Sequence, residues 1–415
     1  MATAQTSEEP DQSAALARDT TATALVDNPL ARVDGDDRLF TRPFVGLLGM
    51  QAAYGFSFSM FFLLPKYLAT IGETPSRIGL VMGGFGVACI ATIPFLSGII
   101  ALLGRRGALM AATLLLAAAG GAFALLVRPG PMANVLRAAE GVTWTIMFST
   151  AIALTAEISP PHRLAQAIGL AGGASLIMNA VAPAIGEPLA DHVGYRPVFL
   201  LAAIAALVAA VLARRLRVND APPSMDAVGA PSAAAPPAAT PRWLRVYLVF
   251  ALAGLAFSVM FTFLAPFALA QGVHAIRAFF ISYTCAALMV RLLGGRLADR
   301  LGHSAIAARA VLLYGFVIAS AGFVGPQHLI VLGIGFGLAH GAAFPALMAL
   351  LVSGTPPAHR PRVLGIANGA MSVGISAVFP AGMLVKPLGY TAVFALAGGL
   401  TAASAALIWG KKPGR

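Results

Sequence analysis

Charged residues are scarce in this chain of 415 residues. They make up 11% of it, whereas hydrophobic residues make up 58%, and the mean hydropathy is +0.82. A soluble globular protein usually carries about a quarter of its residues as charges. The surface of this protein therefore cannot lie mostly in water, which excludes an ordinary soluble domain.

The chain also lacks the patterns of disulfide-rich, metal-binding and nucleotide-binding proteins. Its two cysteines, Cys89 and Cys285, both fall in apolar stretches, so no disulfide framework is expected. The seven histidines are scattered, and no ligand cluster or nucleophile–base arrangement accompanies them. No glycine-rich phosphate loop with a lysine occurs. We therefore expect no enzyme activity, no metal, no cofactor and no direct use of ATP.

Apolar runs of about 20 residues, the length that crosses a bilayer as a helix, recur along nearly the whole chain. They are continuously apolar rather than alternating, which favours helices over barrel strands. The sequence thus predicts an all-α membrane protein embedded in the lipid bilayer. Its twelve transmembrane helices are predicted near 43–70, 77–102, 107–127, 131–156, 163–189, 195–216, 243–271, 276–297, 306–325, 327–352, 362–386 and 388–410.

The basic residues are unevenly divided between the two sides of the predicted membrane. Of 28 lysines and arginines, 20 fall on one side, six on the other, and two within spans. Positive charge stays in the cytoplasm during insertion, so both termini are predicted to be cytoplasmic. We call the opposite end of the helices the predicted extracellular end. The net charge of +12 follows from this topology, and no nucleic-acid partner is expected.

The segments outside the spans define the expected domain organisation. Residues 1–42 are polar, lack the apolar core of a signal peptide, and are predicted to be a disordered cytoplasmic tail. Residues 217–242 are rich in proline and alanine and are predicted to be a cytoplasmic linker. The linker separates an N-terminal half, residues 43–216, from a C-terminal half, residues 243–411. Residues 412–415 form a short cytoplasmic tail.

The two halves repeat each other in sequence. The segment "FSFSMFFLLP" (56–65) matches "FSVMFTFLAP" (257–266), and "GYRPVF" (194–199) matches "GYTAVF" (389–394). In addition, "SPPHRLAQAIGLAGG" (159–173) matches "TPPAHRPRVLGIANG" (355–369). Because each half has an even number of spans, the two copies run parallel to each other. The sequence therefore predicts two parallel six-helix repeats.

Three motifs resemble signatures of the major facilitator superfamily, across roughly residues 43–411. The segment "GGRLADRLGH" (294–303) matches the family's G-x-L-A-D-R-x-G-[RKH] loop, and "RAAEG" (137–141) resembles the R-x-x-Q-G motif of span four. The segment "APAIGE" (182–187) resembles the G-P-x-x-G-G signature of proton-driven exporters, with Ala182 and Glu187 in place of two glycines. The resemblance implies a monomeric drug or metabolite carrier. Its halves rock about a central cavity that is lined by spans 1, 4, 7 and 10.

The first of these motifs predicts a conformational latch. In the family its loop docks against the opposite half, which would bring Asp299 to the start of span five and pair it with the neighbouring arginines. The N-terminal copy has Ala101 where the acid would stand, so the latch is expected to be lopsided. The predicted latch residues are Arg291, Gly295, Arg296, Asp299, Arg300, Arg105, Arg106 and Glu157. Alternatively, the basic residues serve topology and Asp299 only offsets them.

Ionisable residues within spans are costly in lipid and are candidates for proton coupling. Arg137 and Glu140 lie three residues apart on one helical face. Glu140 is either a proton carrier controlled by Arg137 or half of a permanent ion pair. His340 either accepts a proton or hydrogen-bonds a substrate, or it only makes a packing contact between helices. Glu187 is a third proton candidate, or a carboxylate hydrated at the membrane surface.

Helical spacing on the spans expected to line the cavity gives a set of substrate-contact candidates. A mostly apolar pocket with few polar anchors suits amphipathic organic molecules, although aromatic rings at such spacing also serve packing. The candidates are Gln51, Tyr54, Phe58, Phe61, Trp144, Asn179, Phe257, Ser258, Phe261 and Asn368.

These predictions favour a secondary transporter that couples the efflux of small amphipathic compounds to protons, in the plasma (inner) membrane of a bacterium. Two alternatives stay open. One is a proton-coupled importer of sugars or organic acids, although span one carries no acid and no dense polar pocket suits a sugar. The other is a non-transporting membrane scaffold or sensor with the carrier fold, which would not need the latch.

Overall fold

The computed structural model describes residues 39–126, 130–216, 241–293, 303–353, 355 and 359–409. Within these ranges the chain forms thirteen α-helices joined by turns and short 3-10 segments, and no β-strand. The helices are α1 Arg42–Met60, α2 Leu64–Thr70, α3 Pro75–Thr92, α4 Leu96–Leu125, α5 Met132–Ile158, α6 Leu164–Val193, α7 Tyr195–Arg215, α8 Pro241–Ala270, α9 Arg277–Leu293, α10 His303–Val324, α11 Leu329–Ser353, α12 Arg360–Ser376 and α13 Val378–Ser404.

Threonine caps set the start of two helices. The hydroxyl of Thr41 accepts a hydrogen bond from the backbone N–H of Phe44 at the start of α1 (3.4 Å). The hydroxyl of Thr74 does the same for the N–H of Arg77 at the start of α3 (3.3 Å). In both helices proline occupies the first turn, where no backbone donor is needed. These local signals fix where the first two spans begin.

Nine helical segments in the described part of the chain are long and apolar enough to cross a membrane. Two of them, Pro75–Leu125 and Arg362–Leu407, are double-length, at 51 and 46 residues. Each is broken at a glycine with positive φ, Gly104 (69°) and Gly389 (81°), a conformation that glycine adopts without steric cost. Dividing both segments at these glycines gives eleven such segments in the described residues. The 17-residue α9 falls in the predicted span 276–297.

The two halves pack their helices in the same pattern, which confirms the predicted repeat. In the N-terminal half, α1 packs against α6 and α7, α3 packs against α5, and α4 packs against α5 and α7. In the C-terminal half, α8 packs against α12 and α13, α9 against α11, and α10 against α11 and α13. Each contact in one half therefore has its counterpart in the other.

The halves meet through two equivalent pairs of helices: α3 contacts α12 and α13, and α6 contacts α9. Glycines make the first contact close. A Cβ atom added at Gly79 would lie 2.7 Å from the carbonyl oxygen of Val378, and one at Gly86 would lie 2.6 Å from that of Ser372. Small residues allow helix backbones to approach closely in membranes. The contact continues to the predicted extracellular end, where the Ser76 hydroxyl donates to the Gly382 carbonyl (3.3 Å).

Large apolar side chains cover the outside of the helices. Leu102, Phe316 and Phe323 are 84%, 66% and 73% exposed, respectively. Exposed large apolar side chains in such number would be unusual on a soluble monomer. Around a bundle of membrane-length helices they form the face that contacts lipid.

Candidate transport pathway

The buried Arg137–Glu140 pair lies on α5 in the N-terminal half. The two side chains, one turn apart, form an ion pair between Arg137 Nη1 and Glu140 Oε2. Glu140 is 0% exposed and Arg137 is 5% exposed. The Arg137 guanidinium also lies over the ring of Phe85 on α3, 4.9 Å from its centroid. Among the described residues, no group hydrogen-bonds Oε1 of Glu140 or Nε of Arg137.

A pair of hydroxyls connects this charged pair to α1. The Tyr54 hydroxyl and the Thr143 hydroxyl are hydrogen-bonded at 3.1 Å, and the Thr143 hydroxyl also donates to the backbone carbonyl of Glu140 (2.9 Å). One turn before Tyr54, Gln51 is 8% exposed, and its side-chain nitrogen has no partner among the described residues. Polar groups in otherwise apolar surroundings thus gather where α1 meets α5.

Aromatic rings of the N-terminal half cluster around Phe58. Its ring centroid lies 4.8 Å from that of Trp144, 5.7 Å from Phe85 and 6.2 Å from Tyr54. Trp144 in turn stacks on Phe148 at 5.7 Å. Three of the substrate-contact candidates, Tyr54, Phe58 and Trp144, are therefore brought together in one cluster of rings.

Phe61 departs from the prediction. Its ring is fully buried between Phe123 on α4 and Phe199 on α7, at centroid distances of 5.6 and 5.7 Å. Both partners belong to the same half, so Phe61 supports the packing of the N-terminal half and does not line a cavity between halves. The next residue, Phe62, is the one that contacts the other half, because its ring lies 4.8 Å from that of Phe261 in the C-terminal half.

The C-terminal half carries a second cluster of rings, around Phe261. Phe257 stacks on it at 4.3 Å, and Phe336 lies 5.8 Å away. The imidazole of His340 stacks on Phe336 at 5.6 Å, and its Nδ1 lies 3.5 Å from the hydroxyl of Tyr283. Tyr283 and Phe336 were not among the sequence candidates. The usable signal was helical spacing within each helix. Tyr283 lies on α9 and Phe336 lies on α11, and these two helices pair in this half.

The remaining polar candidates are bound in different ways. Asn179 on α6 accepts a hydrogen bond from the Ser59 hydroxyl of α1 (2.8 Å). The Ser258 hydroxyl donates to the carbonyl of Leu255 on its own helix (3.0 Å), so it is already engaged within α8. Asn368 is half-buried on α12, where its backbone carbonyl accepts from the hydroxyl of Ser372 (3.0 Å). Asn179 is thus the polar candidate that joins two spans.

Glu187 is completely buried, at the predicted extracellular end of α6. Its Oε1 accepts hydrogen bonds from Lys66 Nζ (2.6 Å) and from the backbone N–H of Ile276 (2.8 Å). Its Oε2 accepts from the backbone N–H of Arg277 (2.7 Å). The alternative of a hydrated surface carboxylate is therefore wrong. Lys66, a partner not predicted from the sequence, lies near the end of an apolar span, and a lysine in that position was a usable signal.

Comparison with known proteins identifies the family. A family model of the Major Facilitator Superfamily matches residues 45–336 and 276–415, which together cover most of the chain. The chain belongs to the Major Facilitator Superfamily. The resemblance seen in the sequence motifs is thereby confirmed, and so is the membrane-transport class of the protein.

The individual proteins similar to this superfamily member are more distant, by identity or by the share of the chain covered. It is 35% identical over 99 residues to the "Tetracenomycin C resistance and export protein" of Streptomyces glaucescens. That match spans only 23% of this chain and 18% of the relative. Among solved structures, the human organic anion transporter MFSD10 (TETRAN) is similar with a TM-score of 0.68 at 16% identity, covering 90% of this chain and 100% of that one. A POT family transporter in complex with a thioalcohol-conjugated peptide has a TM-score of 0.73 at 15% identity, with 88% and 95% coverage.

Part of the predicted latch of this superfamily member lies in the described structure. Arg105 of α4 forms an ion pair with Glu157 of α5, and Arg106 follows on the same helix. Arg291, at the end of α9, reaches towards α6, where its Nη1 would lie 3.8 Å from a Cβ added at Gly172. Four further latch residues lie outside the described residues: Gly295, Arg296, Asp299 and Arg300.

Proposed function

We propose that the protein is a proton-coupled secondary transporter that exports small amphipathic organic molecules by alternating access. In this proposal residues 43–216 and 243–411 are the two moving halves, joined by a cytoplasmic linker over 217–242. The protein acts as a monomer in a bacterial plasma membrane, with both termini in the cytoplasm. Membership of the Major Facilitator Superfamily supports the transporter class, and the arguments below concern the finer points.

The observation that supports proton coupling is that only one of the two carboxylate oxygens of Glu140 has a partner among the described residues. Oε2 holds the ion pair with Arg137, while Oε1 is buried without a partner among the described residues. A proton can therefore bind Oε1 while the contact to the guanidinium is kept. A permanent structural pair would be expected to satisfy both oxygens, since a buried acceptor left unpaired costs free energy. This favours a carboxylate that changes its protonation state over a fixed one.

The ring clusters support an amphipathic substrate with aromatic or other flat apolar surface. Phe58 and Trp144 present rings from the N-terminal half, and Phe257 and Phe261 present rings from the C-terminal half. Only a few polar groups accompany them, among them the hydroxyl of Tyr54 and the imidazole of His340. A mostly apolar site with a few convergent polar groups is typical of pockets for drug-like molecules.

Export as the direction of transport is supported by the name of the Streptomyces glaucescens relative and by the composition of span one. That span, residues 43–70, contains no acidic residue. A carrier that imports a polar sugar would need a denser set of hydrogen-bonding side chains than the ring clusters provide. Import of sugars or organic acids is therefore the second candidate, and the same experiment distinguishes it.

The test uses purified protein in liposomes with an imposed pH gradient and a pH-sensitive dye inside. Candidate compounds are added, and proton flux that depends on the compound is recorded. We expect flux with amphipathic aromatic compounds, and its loss in Glu140→Gln, which keeps the shape of the side chain but cannot carry a proton. Glu73→Gln, which changes an acid in the loop before α3, serves as the matched control and should retain the flux.

The alternatives predict different results in this assay. Flux with sugars alone would favour the importer. If no compound produces flux, although a thermal unfolding measurement shows that the protein is folded, the result would favour a scaffold or sensor. Full flux in Glu140→Gln would contradict the role of Glu140 as the proton carrier.

A further inference from the structure

A buried carboxylate of one half binds the start of a helix in the other half. The N-terminal half supplies Glu187 on α6, and the C-terminal half supplies the backbone N–H groups of Ile276 and Arg277, at 2.8 and 2.7 Å. Arg277 is the first residue of α9. The guanidinium of Arg277 lies further away, with Nη1 3.7 Å from Oε2 of Glu187.

The first N–H groups of a helix have no partner within it and carry partial positive charge. In most helices a side chain immediately before the first turn accepts from them. In α9 the acceptor comes instead from a residue 89 and 90 positions earlier in the chain. This cap therefore exists only while α6 and α9 are together at the predicted extracellular end.

A second cation accompanies Glu187 from its own half. Lys66, which is 2% exposed near the end of span one, donates to Oε1 of Glu187 at 2.6 Å. It also contacts Oδ1 of Asp191, one turn further along α6, at 3.3 Å. Because Lys66, Glu187 and Asp191 all belong to the N-terminal half, their contacts need not break when the halves move apart. Lys66 can therefore compensate the Glu187 carboxylate without a contribution from the C-terminal half.

We propose that Glu187 is the gate at the predicted extracellular end. Its carboxylate caps α9 when this end is closed and releases the two amides to water when it opens, while Lys66 stays with it throughout. The proposal rests on the alternating-access cycle proposed above. Charge-assisted hydrogen bonds are stronger than neutral ones, so the cap favours the closed arrangement. The cap thereby contributes to the balance between the two arrangements of the carrier.

Two pairs of variants separate the cap from the charges around it. Glu187→Gln leaves one acceptor oxygen facing three N–H donors, whereas Asp191→Asn removes a charge that contacts Lys66 and no amide of α9. Arg277→Pro deletes one capping N–H at the first helical position, where proline is tolerated. Arg277→Ala removes the same guanidinium and keeps the N–H.

The measurement is the distance between spin labels at Ile71 and Gln271, which follow α2, the last part of span one, and α8, the matching span of the other half, at the predicted extracellular end. The labels are attached to cysteines in a Cys89→Ala, Cys285→Ala background. We expect the ratio of the population with the open distance to the population with the closed distance to rise about tenfold in Glu187→Gln relative to Asp191→Asn, since a charge-assisted hydrogen bond of the closed arrangement is weakened. Arg277→Pro should differ from Arg277→Ala in the same direction.

Equal distance distributions within each pair of variants would overturn the proposal, and so would a closed distribution in all of them. If Glu187→Gln does not fold, the Arg277 pair decides alone. The readout is conformational and independent of transport. A shift in distance without proton flux from any compound would keep the gate and overturn the proton-coupled function, whereas flux without a shift would do the reverse.

Discussion

Phe62 of the N-terminal half packs edge-on against Phe261 of the C-terminal half, with ring centroids 4.8 Å apart and an interplanar angle of 75°. It also stacks on Phe280 of α9 at 5.6 Å. The preceding residue, Phe61, is buried within its own half against Phe123 and Phe199. Two adjacent phenylalanines therefore serve different contacts, one between halves and one within a half.

The neighbouring phenylalanines are predicted to respond differently to truncation. Phe61→Ala opens a cavity inside one half and should lower the stability of the protein by about 3 kcal/mol. Phe62→Ala removes a contact between halves and should mainly increase the population with the longer Ile71–Gln271 distance at the predicted extracellular end. Thermal unfolding in detergent and the Ile71–Gln271 label distance measure the two effects. Equal loss of stability with no change in distance for Phe62→Ala would contradict the assignment.

The glycines of α3 are predicted to be required for its close approach to α12. A Cβ at Gly86 would lie 2.6 Å from the carbonyl oxygen of Ser372 and 2.6 Å from the side-chain oxygen of Ser376. Gly86→Ala should therefore destabilise this contact by about 1–3 kcal/mol, the usual cost of overpacking. Gly98→Ala is the matched control, because a Cβ there meets no atom within 4 Å. Unfolding temperatures that fall equally in both variants would argue against the close contact.

The Tyr54 hydroxyl is predicted to stabilise the junction of α1 and α5. Tyr54→Phe removes its bond to Thr143 and should lower stability by about 1 kcal/mol, the typical net contribution of a hydrogen bond. Tyr314→Phe is the control: Tyr314 is equally buried, but its hydroxyl has no partner among the described residues. Its removal should cost nothing. The unfolding midpoints of the two variants, measured with Thr143→Val as a double-mutant cycle, check this prediction.

Asp299 is predicted from the family signature to act as a conformational latch. Asp299→Asn keeps the size of the side chain and removes its charge, so it should slow transport about tenfold through loss of a charge-assisted contact. Expression and thermal stability should be unchanged, because the sequence places the residue between two predicted spans. Undiminished transport by a normally expressed variant would contradict the predicted latch role of Asp299. Glu157→Gln, which breaks the partly exposed pair with Arg105, tests the N-terminal copy in the same assay.

Several features were within reach of the sequence because they depend on local spacing. Continuous apolar runs predict membrane helices, since a helix satisfies its own backbone groups in lipid. Arg137 and Glu140 are three residues apart, so any helix there places them on one face. The repeat is also visible in the order of short matching segments, and the helix packing of the two halves agrees with it.

The choice between Phe61 and Phe62 required the tertiary structure. Both an i+3 and an i+4 neighbour of Phe58 lie near its helical face, and the spacing predicts the first, Phe61, as the cavity residue. The ring that continues towards the C-terminal half is the i+4 neighbour, Phe62, 6.0 Å from Phe58. Which of two near-equivalent positions faces a partner depends on how the helix is rotated in the bundle. The sequence of that helix alone does not specify this rotation.

The partners of Glu187 show most clearly which features the sequence predicts and which ones depend on the tertiary structure. The amino-acid pattern is enough to predict a membrane-embedded chain of two repeated halves, with few ionisable groups in its spans. The tertiary structure decided that Glu187 meets Lys66, 121 residues away, and the first amides of α9. Backbone N–H groups carry no sequence signature, because every residue except proline has one. Only the packing of α6 against α9 determines which of them a distant carboxylate binds.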